Sequence, residues 1–298
     1  GLKARDVTAR RTIGGIDITH PDRVIFPQDG FTKGDLAAYY HAIAPVMLPF
    51  AAGRPVSLLR CPDGVAGVCF FQKHGDGFGS HVDTVSIVEK DGDTGDYLSI
   101  RDADGVLACV QMGTVEFHGW GARADAVEAP DRLVFDLDPD EGLDFTAVTR
   151  AARQVRERLS ALGLASFAML TGGKGIHVIA PLTPGHGWAD HAAFAKHIAG
   201  SMALDKPDRF VATMSKAKRK GRIFIDWLRN QRGNSAILPY SVRARAGAPV
   251  AAPVGWGELE TIGQAQLYSI ADAPHLIERA RSGALRGWGT ARQSLPTG

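Results

Sequence analysis

The chain of 298 residues has few cysteines, almost no net charge and no long apolar run, and each shortage excludes something. Its three cysteines, Cys61, Cys69 and Cys109, are an odd number without a CxxC pair. That excludes a small disulfide scaffold, points to a reducing compartment and predicts a cytoplasmic protein. The longest apolar stretch, Ile43 to Ala52, is broken by Pro45 and Pro49. It falls short of the roughly 18 to 20 residues that cross a bilayer, so no transmembrane helix is expected. Residues Gly1 to Arg11 show neither an apolar core nor a cleavage-site pattern, so no signal peptide is expected, and a Gly start fits excision from a longer chain. Internal repeats and low-complexity tracts are absent too. What is present is ordinary globular composition, 45% hydrophobic, enough for one large domain or two lobes sharing an interface.

The balance of 34 Lys and Arg against 32 Asp and Glu leaves a charge of +2, which on average argues against a nucleic-acid partner. The average conceals segregation. Between Asp125 and Asp144 stand Asp125, Glu128, Asp131, Asp136, Asp138, Asp140, Glu141 and Asp144 against Arg132 alone. Between Arg209 and Arg232 stand Arg209, Lys216, Lys218, Arg219, Lys220, Arg222, Arg229 and Arg232 against Asp226 alone. A charge run is ordinarily a solvated face. The position of Asp226 argues otherwise.

A first helix is expected from Thr32, with Asp35 completing a capping box, through Leu36, Tyr39, Tyr40, Ile43 and Val46 towards Pro49. Strand-like runs follow at Val56 to Arg60, Gly67 to Gln72, Tyr97 to Arg101 and Val106 to Gln111. Past a connection near Gly121 to Pro130, RLVFDLD alternates: Leu133, Phe135 and Leu137 on one face, Val134, Asp136 and Asp138 on the other. Phe145, Val148, Ala152, Val155, Leu159 and Leu162 mark an amphipathic helix closed by Gly163. Strands at Ser166 to Leu170 and Ile176 to Ala180, a helix over Ala189 to Met202 and an alternating strand Ile223 to Leu228 imply a mixed sheet with helices packed on it. The tail from Ile262 to Arg281 reads as helical.

Asp136 and Asp138 share one face of a strand, about 7 Å apart at Cα given a rise of roughly 3.3 Å per residue. Alone, the pair fits an exposed strand end as well as a cation site. Asp226 lies between apolar neighbours in IFIDWL, where a carboxylate is costly to bury unless paired or bound to a cation. If the two strands are neighbours, three carboxylates converge, as two-metal phosphoryl or nucleotidyl transfer requires. The stretch Thr171 to His177, TGGKGIH, is not a Walker A loop, because Lys174 is followed by Gly175. It offers a glycine-rich turn with a lysine at its tip, and fits an anion cradle or a plain hairpin turn. His118 in VEFHGW decides nothing alone, and SKAKRKGR is either a solvated loop or a phosphate-binding arm.

Together RLVFDLDP, TGGKGIH and SKAKRKGRIFIDWLRN, continuing to LPYSVRAR, resemble the polymerase domain of bacterial ATP-dependent DNA ligase D, in the archaeo-eukaryotic primase superfamily. THPDRVIFPQDGFTKGDLAAYY, AGRPVSLLR and FFQK extend the resemblance, which covers nearly the whole chain to about Glu260. It implies an α+β, primase-like fold with mixed central sheets flanked by helices and an RRM-like catalytic lobe. One domain is expected over residues 1–298, with an N-terminal β-rich lobe (about 12–125) and a C-terminal catalytic lobe (about 126–298).

The resemblance also implies residue roles. Asp136, Asp138 and Asp226 would be catalytic and hold two Mn²⁺ or Mg²⁺ ions. His118, Thr171, Gly172, Lys174, His177, Arg219, Arg229, Arg243 and Phe70 would bind the incoming nucleotide. His20, Arg23, Lys33, Arg60 and Phe71 would hold DNA or the 5′-phosphate across a gap, with Phe70 and Phe71 stacking on bases. Thr171 replaces the family's usual Ser and keeps the hydroxyl, Arg229 stands at a variable position, and no zinc-ligand set occurs.

The implied function is template-dependent gap filling and end extension, favouring ribonucleotides, in bacterial non-homologous end joining. Implied partners are DNA ends or gaps with a 5′-phosphate, NTP or dNTP, Ku, and ligase and phosphoesterase domains, at the nucleoid and without a membrane. Two other readings stay open: a metal-dependent phosphodiesterase or nuclease using the same aspartates, and a non-catalytic DNA-end-binding module. A covalent-lysine ligase core is excluded for want of a KxDG motif.

Overall fold

The structure is a computed structural model describing residues 9–75 and 77–296. The first half of the chain runs β1 (Arg10–Ile13), β2 (Ile16–Thr19), β3 (Val24–Phe26), β4 (Phe31–Thr32), α1 (Lys33–Ala51), β5 (Pro55–Arg60), β6 (Phe70–Gln72), β7 (Asp83–Val88), β8 (Thr94–Ser99), α2 (Ala103–Gln111) and β9 (Thr114–Trp120). The second half adds β10 (Arg132–Pro139), α3 (Phe145–Ala161), β11 (Phe167–Leu170), β12 (Ile176–Pro181), α4 (Trp188–Asp205), β13 (Phe210–Val211), α5 (Lys216–Arg219), β14 (Ile223–Asp226), β15 (Ser235–Ile237), β16 (Ala252–Val254) and α6 (Ala273–Ala280).

β1 pairs with β2 and β3 with β4, and the other twelve strands build two six-stranded sheets, one ordered β15-β9-β5-β8-β7 with β6 also on β5, the other β13-β14-β10-β12-β11-β16. The second is mixed, because β13 lies parallel to β14 while the remaining pairs are antiparallel. The expected α+β class holds.

Local chemistry explains most elements. Thr32 accepts the Asp35 amide at 3.1 Å and Asp35 accepts that of Thr32 at 2.9 Å, so the capping box forms. The helix passes both prolines, which sit four residues apart on its exposed stripe, where their missing N–H groups leave carbonyls to water. In β10 the alternation is as expected: Leu133, Phe135 and Leu137 are buried against α3 and α4. Val134 packs on the other side with Ile179, Ile237 and Trp288.

Three expectations fail. Val106 to Gln111 is helical, since a fully buried apolar run carries no period to separate strand from helix, and Asp102 caps it by accepting the Gly105 amide at 2.9 Å. The tail is helical only over α6 and a short 3₁₀ turn, Ile270–Asp272; just before that turn it runs extended beside Val250, whose amide donates to the Tyr268 carbonyl at 3.0 Å. The cysteines are not all thiols. Antiparallel pairing of Arg60 with Phe70 sets the next residues out, Cys61 and Cys69, opposite each other with Cα atoms 4.4 Å apart, and they form a disulfide; Cys109 stays free and buried.

The chain returns late to its first half. β15 edges the first sheet, and Leu238, Tyr240, Val242 and Val250 join the core under α1 and α2. Hydrogen bonds fix this return: Tyr39 Oη donates to the Tyr240 carbonyl at 2.6 Å, and Ser241 Oγ accepts the Phe117 amide at 2.9 Å.

Candidate active site

Strand pairing alone assembles the centre of the site. In β10, Asp136 lies directly opposite Asp226 of β14 on one side and His177 of β12 on the other. One rung of the sheet therefore carries Asp226, Asp136 and His177, and Asp138 follows one pleat along on the same face. His177 Nε2 is 3.3 Å from Asp136 Oδ1, while its buried Nδ1 has no partner. Asn230 holds the rung in register: its side chain accepts the Val134 amide and donates to the Val134 carbonyl, both at 2.8 Å, extending the β10–β14 ladder with a side-chain amide.

The basic stretch does not stand apart from the acidic one; the two interlock. Arg219, at the end of α5, donates to Asp138 Oδ2 at 2.8 Å and lies over the Phe224 ring. Arg229 lies 3.6 Å from both Asp136 and Asp226. Lys216, Lys218 and Lys220 remain exposed.

Among the described residues no three His, Cys, Asp or Glu side chains are grouped so as to hold a metal ion, and guanidinium groups stand beside all three carboxylates. The donor chemistry nevertheless fits a hard divalent cation. Burial, then the negative charge of Asp136, pushes the carboxyls of Asp138 and Asp226 up. Burial works the same way on Asp136, but His177, then Arg229 and Arg243, carry it below the ordinary range. Burial thus works against charge on all three carboxyls, a charge that a divalent cation would favour, and the Arg229 Nε is buried without a hydrogen bond.

A cleft of about 180 Å³ opens over this rung, lined by His118, Asp136, Asp138, Thr171, Gly173, Lys174, Gly175, His177, Arg229, Ile237, Arg243 and Arg245. Thr171 organises its floor: the hydroxyl donates to the Gly175 carbonyl at 3.0 Å and accepts the Gly173 and Gly175 amides at 3.1 and 3.3 Å. The Gly172 amide bonds to the Ala265 carbonyl and is spent within the fold, while the Lys174 ammonium at the tip of the turn is exposed. Two glycines are required sterically. Gly172 has φ +72 and a Cβ there would meet Arg243 Cγ at 2.9 Å, while a Cβ on Gly175 would meet the Leu137 carbonyl oxygen at 2.1 Å.

The opposite wall comes from β9, where His118 Nε2 contacts Glu116 Oε1 at 2.9 Å. Burial pushes the imidazole down, against the pull of Glu116. Phe71 reaches this wall, its ring 5.3 Å from that of His118. Phe70 lies beside Arg60, whose guanidinium is 5.1 Å from the ring and donates to the Met112 carbonyl and Gln72.

The remaining predicted residues gather at the start of α1. His20 sits in a left-handed turn at φ +52, and its carbonyl accepts the Arg23 amide at 3.0 Å. The Arg23 carbonyl in turn accepts the Lys33 amide at 2.8 Å. Lys33 is buried, and burial followed by the charge of Arg23 lowers its ammonium to about 8.

Three residues escaped the sequence reading. Arg245 repeats Arg243 two positions on, a spacing visible in VRAR. Glu116 precedes His118 by two residues on the same face of an unrecognised strand. Asn230 carried no signal, since its partner lies 96 residues away.

The family described as LigD, primase-polymerase domain, matches residues 32–283. The chain is 39% identical over 280 residues to the multifunctional non-homologous end joining protein LigD of Pseudomonas aeruginosa, covering 93% of this chain and 33% of that protein. Against the bifunctional non-homologous end joining protein LigD of Bacillus subtilis the identity is 28%, covering 86% and 41% respectively. The chain therefore spans 33% to 41% of the length of these two curated relatives. The polymerase domain of Mycobacterium tuberculosis ligase D, solved in complex with DNA, shares the fold with a TM-score of 0.83 at 32% identity, covering 91% of this chain and 96% of that one. Similarity of this extent, over a fold that brings the quoted motifs into one cleft, places the chain in the LigD primase-polymerase domain family, a family of nucleotidyltransferases.

Proposed function

We propose that this domain extends a primer 3′ end at a DNA gap or break by template-directed nucleotidyl transfer. The primer hydroxyl attacks the α-phosphate of the incoming nucleotide and pyrophosphate leaves. One observation carries the reading: the rung that pairs Asp136 with Asp226 and His177 opens, at Asp136 and His177, into a cleft also lined by Lys174, Arg243 and Arg245, cations suited to a triphosphate. A hydrolase acting on a diester has little use for so many.

Asp136, Asp138 and Asp226 would hold divalent cations, two Mn²⁺ or Mg²⁺ ions in this reading. Such ions supply charge neutralisation at the phosphates and ease deprotonation of a hydroxyl. The chain's own residues do the rest. Arg219 and Arg229 offset carboxylate charge, His177 orients Asp136, and Lys174 with the Gly172 turn meets the phosphates. Phe70 and Phe71 stack on bases, and Lys33, Arg23 and His20 take the 5′-phosphate across the gap. A preference for ribonucleotides, cytoplasmic work at the nucleoid, and action with Ku, ligase and phosphoesterase modules follow the family resemblance.

Labelled NTP and dNTP on a gapped duplex with Mn²⁺ or Mg²⁺ test the proposal. Extension of the primer, lost in Asp136→Ala and Asp226→Ala, is the expected result. Release of nucleotides without extension would establish the nuclease reading, and extension that survives both substitutions would establish the end-binding module.

A further inference from the structure

Glu116 is a carboxylate behind the cleft rather than in it. Its residue is 5% exposed, it does not line the cleft, and yet it touches two residues that do. Oε1 meets His118 Nε2 at 2.9 Å; Oε2 accepts from Arg243 Nε at 3.2 Å and from the Ala244 amide at 2.8 Å. Arg243 continues the chain of contacts by donating from Nη1 to the Thr171 carbonyl at 2.7 Å, at the start of the glycine turn that carries Lys174. One buried side chain of the first sheet thereby ties its own histidine to the arginine and turn of the second half.

We propose that Glu116 is the positioning residue of the nucleotide site, fixing the His118 ring and the Arg243 guanidinium so that both meet a nucleoside triphosphate. The inference rests on the polymerase reading above. Because a carboxylate only accepts, the neutral His118 ring donates from Nε2 and keeps Nδ1 as its acceptor. Because Oε2 is shared by Arg243 and Ala244, the guanidinium and the backbone of the returning segment are held by one atom.

The test is Glu116→Gln in the full chain. Glutamine keeps the shape and can still accept from Arg243 and Ala244, but its amide must donate to His118 and so reverses the tautomer. The expected result is a nucleotide KM at least about tenfold higher with kcat within about threefold, since removing a group that orients a binding residue typically costs 10- to 100-fold. In ¹⁵N spectra the His118 proton moves from Nε2 to Nδ1. Combining it with Arg243→Ala is expected to add less than the sum of the two losses. An unchanged KM, or fully additive losses, overturns the inference while wild-type transfer keeps the polymerase reading intact. A wild type that transfers nothing refutes that reading first. Should the variant not fold, wild-type His118 decides: a proton on Nδ1 overturns the assignment.

Discussion

Two charged regions of this molecule solve opposite problems. On the rung of β10 and β14, every carboxylate has a cation of the same chain beside it: Arg219 at Asp138, and Arg229 at both Asp136 and Asp226. At the start of α1, Lys33 is buried beside Arg23, and among the described residues neither forms an ion pair. The first region is an anion site compensated internally, which an incoming divalent cation must enter in competition with guanidinium groups. The second is a cation pair without a carboxylate partner among the described residues, which suits the anion that the proposed function brings to it. A phosphate there would oppose both the burial that chiefly lowers Lys33 and the charge of Arg23 that adds to it.

The sharpest way to break the comparison is to remove charge from each region in turn. Asp136→Ala or Asp226→Ala should abolish primer extension, a loss of about 10³-fold or more, since charge acting on the transferring phosphate contributes at that scale. Lys33→Ala should leave the chemical step and weaken binding only to gaps bearing a 5′-phosphate, by about tenfold, the worth of one charge-assisted hydrogen bond. Gel-shift titration on phosphorylated and unphosphorylated gaps separates the two; equal loss on both would show that Lys33 does not read the phosphate.

The same contrast has a pH signature. Lys33 titrates near 8, so preference for a 5′-phosphate should fall as pH rises through that value and survive at lower pH. Phosphate binding favours the charged ammonium, so the midpoint measured with phosphorylated DNA should lie above that of the free protein. In Lys33→Arg the decline should vanish up to at least about pH 9.5, because a guanidinium stays charged. On the carboxylate side it is the stability of the fold that falls as pH rises. A carboxyl raised in the folded state stabilises the fold only at low pH and loses that contribution as pH rises through its folded value. Asp226→Asn, whose side-chain oxygen can still accept the Leu228 amide, should therefore raise Tm at neutral pH by a degree or two while abolishing transfer.

How legible these regions were in the sequence depended on range. Asp136, Asp138 and Asp226 announced themselves because a carboxylate in an alternating apolar strand demands an explanation, and β pairing then made Asp136 face Asp226. The Thr32 cap and the α3 stripe were equally local. What escaped was fixed by distant partners: α2 shows no period because all sides are buried, Glu116 acquires meaning only when Arg243 arrives from 127 residues away, and Asn230 substitutes for strand backbone. The charge count misled for a related reason. Composition reports totals, whereas Arg219 and Arg229 neutralise particular aspartates.

The smallest predicted effect concerns the disulfide, which the spacing of three cysteines did not reveal. Cys61 follows Arg60 and Cys69 precedes Phe70 and Phe71, so the bridge closes the loop whose two strands carry the side chains proposed to stack on bases and face DNA. The closed loop also packs on the phosphate region, for Arg23 Nη1 donates to the Pro62 carbonyl at 3.1 Å and the Val65 amide to the Ile25 carbonyl at 2.9 Å. Opening the bridge with a dithiol, or by Cys69→Ser, restores freedom to a short loop still held by those bonds. Affinity for gapped DNA should fall about two- to threefold on phosphorylated and unphosphorylated gaps alike, because stacking rather than phosphate capture is loosened. Extension at saturating DNA should be unchanged, since the rung of β10 and β14 belongs to the other sheet and pairs with neither β5 nor β6. A loss confined to phosphorylated gaps would instead tie the bridge to Lys33 and Arg23, and would merge the DNA grip and the phosphate site into one cooperative unit.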